Sequence, residues 1–85
     1  MNAPPEMVRH KFTLILDQDP EPFLDALSEA GCGDALFRVS DDGEPFAQFY
    51  RKAPTLARAM ATAVREIEKT DLRVVRIAGV ALPTN

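Results

Sequence analysis

The sequence has few of the residues that staple small proteins together or that carry chemistry. It contains one cysteine, Cys32, one histidine, His10, no tryptophan and four glycines in 85 residues. A single cysteine excludes a disulfide within the chain, and one cysteine with one histidine cannot supply the usual ligand set of a structural zinc site. We therefore expect the fold to depend on an apolar core, with no metal and no other cofactor.

Long apolar segments are also missing. No run approaches the roughly 18 residues that would cross a bilayer, and the N-terminus lacks the basic start and apolar stretch of a signal peptide. We therefore predict a cytoplasmic protein with no membrane association, a compartment that suits a lone unpaired cysteine. Ten basic and thirteen acidic residues give a formal net charge of -3, which argues against an overall cationic field but allows a single basic face.

The chain length fits one domain. We predict a flexible N-terminal arm over residues 1–8, a single α/β domain over 9–78 and a C-terminal tail over 79–85. A core in a chain this small gives only marginal stability, because conformational entropy offsets most of the gain from burial. We therefore expect the protein to be an oligomer, most simply a homodimer.

Hydrophobic periodicity predicts six elements. Alternation over 9–16 predicts a strand, and the prolines after it predict a helix that starts near Pro20 and ends at Gly31. Two β-rich runs, 36–40 and 46–51, flank an Asp-Gly turn and predict a hairpin. Apolar residues at helical spacing then predict a second helix that opens at Pro54 or Thr55, and 72–77 predicts a last strand.

The order β-α-β-β-α-β is typical of the ferredoxin-like fold, an α+β arrangement with a four-stranded antiparallel sheet and two helices on one face. From right-handed crossovers we expect the first and third strands at the centre of the sheet, running parallel to each other. The predicted core comprises Phe12, Leu14, Leu16, Leu24, Leu27, Phe37, Val39, Phe49, Leu56, Met60, Val64, Ile67, Val75 and Ile77. The predicted open face of the sheet comprises Lys11, Thr13, Ile15, Arg38, Phe46, Gln48, Tyr50, Val74 and Arg76.

The catalytic and metal-binding motifs found on this fold are missing. The first loop has neither the glycine-rich arginine motif of acylphosphatases nor the Cys-x-x-Cys of soft-metal carriers. Its acidic residues, Asp17, Asp19 and Glu21, fit helix capping better than a divalent-ion site. Cys32 has no base assigned beside it, and His10 fits a peripheral packing role. We therefore predict that the protein is not an enzyme.

The open face is the most informative feature for function. As the interaction face we predict Lys11, Ile15, Arg38, Phe46, Gln48, Tyr50 and Arg76. An exposed stripe of this kind is often covered by a second subunit or a protein partner, which predicts a protein-interaction or regulatory domain that self-associates through this face or an edge strand. The alternative is single-stranded RNA binding, since aromatic and basic residues are mixed here, although the RNA-recognition motif spaces its aromatics by two residues and this strand spaces them by four.

Four short segments carry a family resemblance. They are FTLILD at 12–17, ALSEAGCGDA at 26–35, and RKAPTL at 51–56 leading into AVREIE at 63–68. In these the chain resembles a group of small uncharacterised bacterial proteins whose longer members carry this domain before a helix-turn-helix. The resemblance implies a regulatory or interaction module associated with a DNA-binding unit, although the sequence ends where that unit would begin. The segment 53–67 is also similar to the helix of HicB-type antitoxins, which implies toxin neutralisation as a further alternative.

Overall fold

The computed structural model describes residues 7–80, so most of the predicted arm and tail lies outside the described residues. The strands are β1 (Val8–Leu16), β2 (Ala35–Val39), β3 (Pro45–Ala53) and β4 (Val74–Val80), and the helices are α1 (Leu24–Glu29) and α2 (Leu56–Ile67). A 3-10 turn over Glu21–Phe23 leads into α1, so this helix begins later than predicted. The predicted order of strands and helices is confirmed. Within residues 7–80, neither helix has the length and apolar character needed to cross a bilayer.

The sheet has the order β2-β3-β1-β4, and every neighbouring pair is antiparallel. The prediction that β1 and β3 lie at the centre is confirmed, but the prediction that they run parallel is wrong. The reason is the hairpin: β3 turns back on β2 and then lies between β2 and β1. Since every neighbouring pair is antiparallel, the parallel pairs are β1 with β2 and β3 with β4, and in each pair another strand lies between the two.

Both helices pack on one face of this sheet. Leu27 of α1 and the buried side of α2 join Phe12, Leu14 and Phe49 in a single core cluster. Where α2 meets the sheet, Ala59 and Ala63 are fully buried, so the small side chains allow the helix backbone to come close. Thr55 caps α2 by accepting a hydrogen bond from the amide of Arg58 at 3.1 Å, as expected for a helix that opens at this residue.

Four residues of the predicted core are exposed: Leu24, Val39, Val75 and Ile77. Val39 lies on the edge strand β2, and Leu24 opens the short helix α1. Val75 and Ile77 lie on the other edge strand, β4, and are 60% and 50% exposed. The predicted core is therefore correct at the centre of the sheet and wrong at its margins.

A bulge in β4 explains why alternation failed there. Leu16 pairs with Val74, but the next residue of β1, Ile15, pairs with Arg76, which leaves Val75 as an extra residue. Val74 therefore packs against the core, and the prediction that it lies on the open face is wrong. Beyond the bulge, Arg76 returns to the open face as predicted.

Two glycines shape the turns. Gly31 follows α1 with φ +108°, and the amides of Gly31 and Cys32 donate to the carbonyls of Ser28 and Leu27. This double hydrogen bond is the Schellman motif, so the left-handed cap predicted at Gly31 is confirmed. Gly43 has φ +86° in the β2-β3 hairpin, at the predicted Asp-Gly turn.

Candidate binding face on the open side of the sheet

The open face is the side of the sheet opposite the two helices. Alternation of side chains along each strand places eleven residues on it: Arg9, Lys11, Thr13, Ile15, Leu36, Arg38, Phe46, Gln48, Tyr50, Lys52 and Arg76. The structure brings all seven residues of the predicted interaction face together here. Arg9, Leu36 and Lys52 are additions. Arg9 and Leu36 lie within the predicted strands but were not assigned to the open face, whereas Lys52 lies beyond the predicted end of its strand, since β3 runs to Ala53.

One row of this face crosses all four strands. Arg38 pairs with Phe46, Phe46 pairs with Ile15, and Ile15 pairs with Arg76. An apolar pair is thus flanked by two guanidinium groups. Ile15 is only 6% exposed, since its neighbours cover it, and Arg76 is held at the end of the row by a 2.7 Å ion pair with Glu44.

A second group of residues surrounds the only tyrosine. Tyr50 pairs with Lys11 across the strands and is 55% exposed. The guanidinium carbon of Arg9 lies 5.2 Å from the centre of the tyrosine ring, within the range of a cation-π contact. A groove of about 720 Å³ runs beside this ring, and its lining includes Arg9, Lys11, Gln48 and Tyr50 together with one carboxylate, that of Asp34.

The charge that the strands contribute to the face is of one sign, although Glu44 of the hairpin pairs with Arg76 at one end of it. In the described part of the chain, the four strands contain six basic residues and no carboxylate. Five of the six lie on the open face, namely Arg9, Lys11, Arg38, Lys52 and Arg76, whereas the acidic residues of the described chain lie in helices, turns and loops. A chain with a formal charge of -3 therefore presents one strongly basic surface.

The sixth basic residue, Arg51, is buried on the helix side and was not predicted. Its guanidinium donates to both carboxylate oxygens of Asp34 at 2.7 and 2.9 Å, and to Glu66 at 2.7 Å. It also donates to the hydroxyl of Thr62 and to the carbonyl of Gly31, both at 3.1 Å. We call these five residues the Arg51 cluster. It joins β3, α2 and the loop after α1.

Electrostatics within the Arg51 cluster are strongly coupled. The hydrogen bonds from Arg51 hold the pKa of the Asp34 carboxyl below its ordinary value. Hydrogen bonds to Asp34, and then to Glu66, raise the pKa of Arg51 despite the opposing effect of burial. The guanidinium is therefore charged at neutral pH, and it donates to four other residues of the cluster. We assign it a structural role.

The candidate nucleophile and base of the sequence do not form a reactive pair. Cys32 is buried, and its thiol lies 3.9 Å from a carboxylate oxygen of Glu66. Burial, followed by the negative charge of Glu66, raises the pKa of Cys32 to about 11, so the reactive thiolate is rare at neutral pH. His10 instead lies 3.1 Å, through its Nε2, from the carbonyl of Ala53.

The acidic loop after β1 binds backbone amides, but it does not cap the helix as predicted, because neither the 3-10 turn nor α1 has a hydrogen bond from a capping side chain. Asp19 accepts a hydrogen bond from the amide of Glu21, and Asp17 accepts one from the amide of Arg73, both at 2.9 Å. These bonds fix the entry to α1 and the start of β4. Both carboxylates are thus engaged by backbone.

Comparison with family models, with curated proteins and with solved structures finds no significant match for this chain. The open face and the Arg51 cluster are therefore interpreted from their own chemistry.

Proposed function

We propose that this chain is a non-enzymatic binding domain whose open face docks a negatively charged partner. The observation that carries the proposal is the separation of charge, with five cations and two aromatic residues on a face whose strands hold no carboxylate. Opposite charge steers association and favours the correct partner over the many neutral or basic surfaces in a cell. The partner of the predicted interaction or regulatory domain is therefore expected to carry negative charge.

We also propose the ferredoxin-like class for the fold. In that class each β-α-β unit is split by a strand inserted between its two parallel strands. The strand order supports the assignment, since β3 lies between β1 and β2, and β1 lies between β3 and β4. A regulatory association with a helix-turn-helix protein, and toxin neutralisation, stay predictions from resemblance.

The chemistry of the side chains favours binding over catalysis. The one thiol has a pKa of about 11, and the buried arginine directs its donors to groups of its own cluster. The exposed cations, by contrast, lie on a broad and continuous surface. Such a surface suits an extended partner better than a small substrate that needs an enclosed pocket.

The β4 edge favours self-association as a second role. Face-to-face pairing would bring five cations from each copy together, which opposes a dimer through the open face. The edge strand β4 instead exposes Val75 and Ile77, and an edge strand has backbone groups free to pair with another strand. We propose that a dimer forms along β4 and leaves the open face accessible.

The edge proposal is tested by molar mass from light scattering over a range of protein concentrations. We expect a dimer for the wild type and a monomer for Ile77→Lys, because a charge would be placed in the apolar edge. The matched control is Val39→Lys on the opposite edge, where the residue is similarly exposed at 44%; this variant should remain a dimer. A monomeric wild type, or a dimer unaffected by Ile77→Lys, would contradict pairing along β4.

The charged face is tested by elution from heparin, a generic polyanion. We expect Lys11→Gln combined with Arg38→Gln to elute at a clearly lower salt concentration than the wild type. The control, Arg58→Gln with Arg65→Gln, removes the same charge from exposed positions on α2 and should elute close to the wild type. Equal shifts for both double variants would mean that net charge alone matters, and the proposal of a binding face would fail.

A further inference from the structure

We infer that the partner of the open face is a single-stranded nucleic acid. This inference rests on the binding function proposed above and names the partner of the same face. Positive charge alone would bind any polyanion. Which class of polyanion fits best therefore depends on the side chains that lie between the charges. A single strand exposes both phosphates and the flat faces of its bases, whereas an acidic peptide has carboxylates and no bases.

The face repeats one unit, an aromatic ring beside a cation. Phe46 pairs across the strands with Arg38, and Tyr50 pairs with Lys11. Directly paired side chains lie about 5 Å apart at Cβ, close enough for a base on the ring to place its phosphate near the cation. The two rings are four residues apart on β3, which corresponds to about 13 Å along the strand. Two bases of one extended strand can therefore occupy the two rings.

Polar groups fill the space between the rings. Gln48 lies between Phe46 and Tyr50 on the same face and pairs with Thr13 on β1. An amide and a hydroxyl can each donate to and accept from the edge of a base. Along β3 the open face thus presents a ring, a base-edge group, a second ring and a cation, in the order Phe46, Gln48, Tyr50 and Lys52. Lys52 and Arg9 continue the positive charge past Tyr50.

The exposure of the rings agrees with this use. Tyr50 is 55% exposed, and the Arg9 guanidinium lies over its ring at 5.2 Å from the centroid, so a base that stacks on Tyr50 uses the opposite side of the ring or displaces Arg9. Phe46 is half-buried against Ile15 in the adjacent strand. We therefore expect Tyr50 to contribute most of the stacking. The row formed by Arg38, Phe46, Ile15 and Arg76 should contribute mainly apolar contact and positive charge. A duplex would keep its bases stacked on each other and out of reach of both rings.

The charges predict a defined dependence on salt. Of the five cations, Arg76 is already paired with Glu44, which leaves four for phosphates. For a single strand each phosphate contact contributes about 0.7 to the slope of log affinity against log salt, so the slope should be about -3. Raising salt from 50 to 200 mM should then weaken binding by about 50-fold.

The test is fluorescence anisotropy with fluorescein-labelled 12-nucleotide oligo-uridine and oligo-thymidine, a 12-base-pair duplex, and poly-glutamate of similar charge. We expect both single strands to bind more tightly than the duplex or poly-glutamate. Preference for oligo-uridine would indicate either a contact to the ribose hydroxyl or exclusion of the thymine methyl group, and equal binding would indicate recognition of any single strand. Tyr50→Leu should weaken single-strand binding by about 5- to 140-fold with the salt slope unchanged, since stacking is lost and no charge is removed.

Charge variants provide the complementary measurement. Lys11→Gln with Arg38→Gln should reduce the slope by about 1.4, and Arg58→Gln with Arg65→Gln should leave it unchanged. If poly-glutamate binds as tightly as the oligonucleotides and Tyr50→Leu has no effect, the inference of a nucleic acid is wrong while the anion-binding function stands. If no probe binds, and the heparin variants also behave alike, the inference and the proposed function both fail.

Discussion

Replacing Arg51 with methionine should lower the free energy of unfolding by about 3 kcal/mol, measured by urea denaturation at pH 7. The substitution keeps most of the buried aliphatic volume but removes the charge that holds Asp34 and Glu66. Two carboxylates are then left facing a site with no cation, and removing one partner of a buried pair is costly for this reason. We place the effect at the lower end of the usual range, because the side chains of Asp34 and Glu66 are 34% and 24% exposed and water can reach them.

The control is Arg76→Met, which breaks an ion pair of the same length, 2.7 Å, at the surface. Its cost should stay below about 1 kcal/mol, since water screens exposed pairs. A comparable loss for both arginines would show that the network around Arg51 adds nothing beyond a surface contact, and would contradict the structural role assigned to it.

The destabilisation by Arg51→Met should also depend on pH. Because Arg51 lowers the pKa of Asp34 in the folded state, the contact contributes stability at pH values above the ordinary carboxyl pKa. That contribution is lost as pH falls through the lowered pKa and Asp34 becomes protonated. The difference between wild type and variant should therefore be largest at neutral pH and shrink below about pH 4. A difference that stays constant from pH 7 to pH 3 would exclude the Asp34 contact as its source.

The Arg51 cluster illustrates what the sequence could not provide. Arg51 has the same strand parity as Phe49, so alternation alone predicts that it points inward. Its partners are Asp34 and Glu66, 17 and 15 residues away on other elements. No local pattern specifies that these three residues meet. The sequence therefore predicts that a charged side chain points inward at Arg51, but it does not predict which carboxylates pair with it.

The open face was predictable because it depends on periodicity alone. Strands with regular alternation, such as β1 and β3, place every second residue on one side, so Lys11, Gln48 and Tyr50 could be assigned correctly. In β4 the same rule fails, since Val74 and Val75 are equivalent in sequence and only the bulge decides which of them faces the core. Pairing geometry at an edge strand is a tertiary property, and alternation carries no information about it.

Phe49 is expected to be the most sensitive apolar position of the fold. Its ring stacks on Phe12 at 5.3 Å between centroids, meets the edge of Phe37 at 6.1 Å and lies 4.9 Å from the guanidinium of Arg51. Phe49→Ala should lower the free energy of unfolding by about 3 to 5 kcal/mol, because it opens a cavity at the centre of the sheet. For a domain of this size, such a loss approaches the total free energy of unfolding. The variant is therefore expected to be largely unfolded at 37 °C.

A milder pair of variants keeps the prediction measurable if Phe49→Ala does not fold. Phe49→Leu fills most of the space and loses the ring contacts, and we expect a cost of about 1.5 kcal/mol. The matched control is Phe46→Leu on the open face, where the side chain is half-buried and the cost should be less than half as large.

Because the Arg51 guanidinium lies over the Phe49 ring, combining Phe49→Leu with Arg51→Met should cost less than the sum of the two single changes. Additive costs in urea denaturation would mean that Phe49 and the Arg51 cluster stabilise the fold independently, and equal costs at Phe49 and Phe46 would place the core elsewhere.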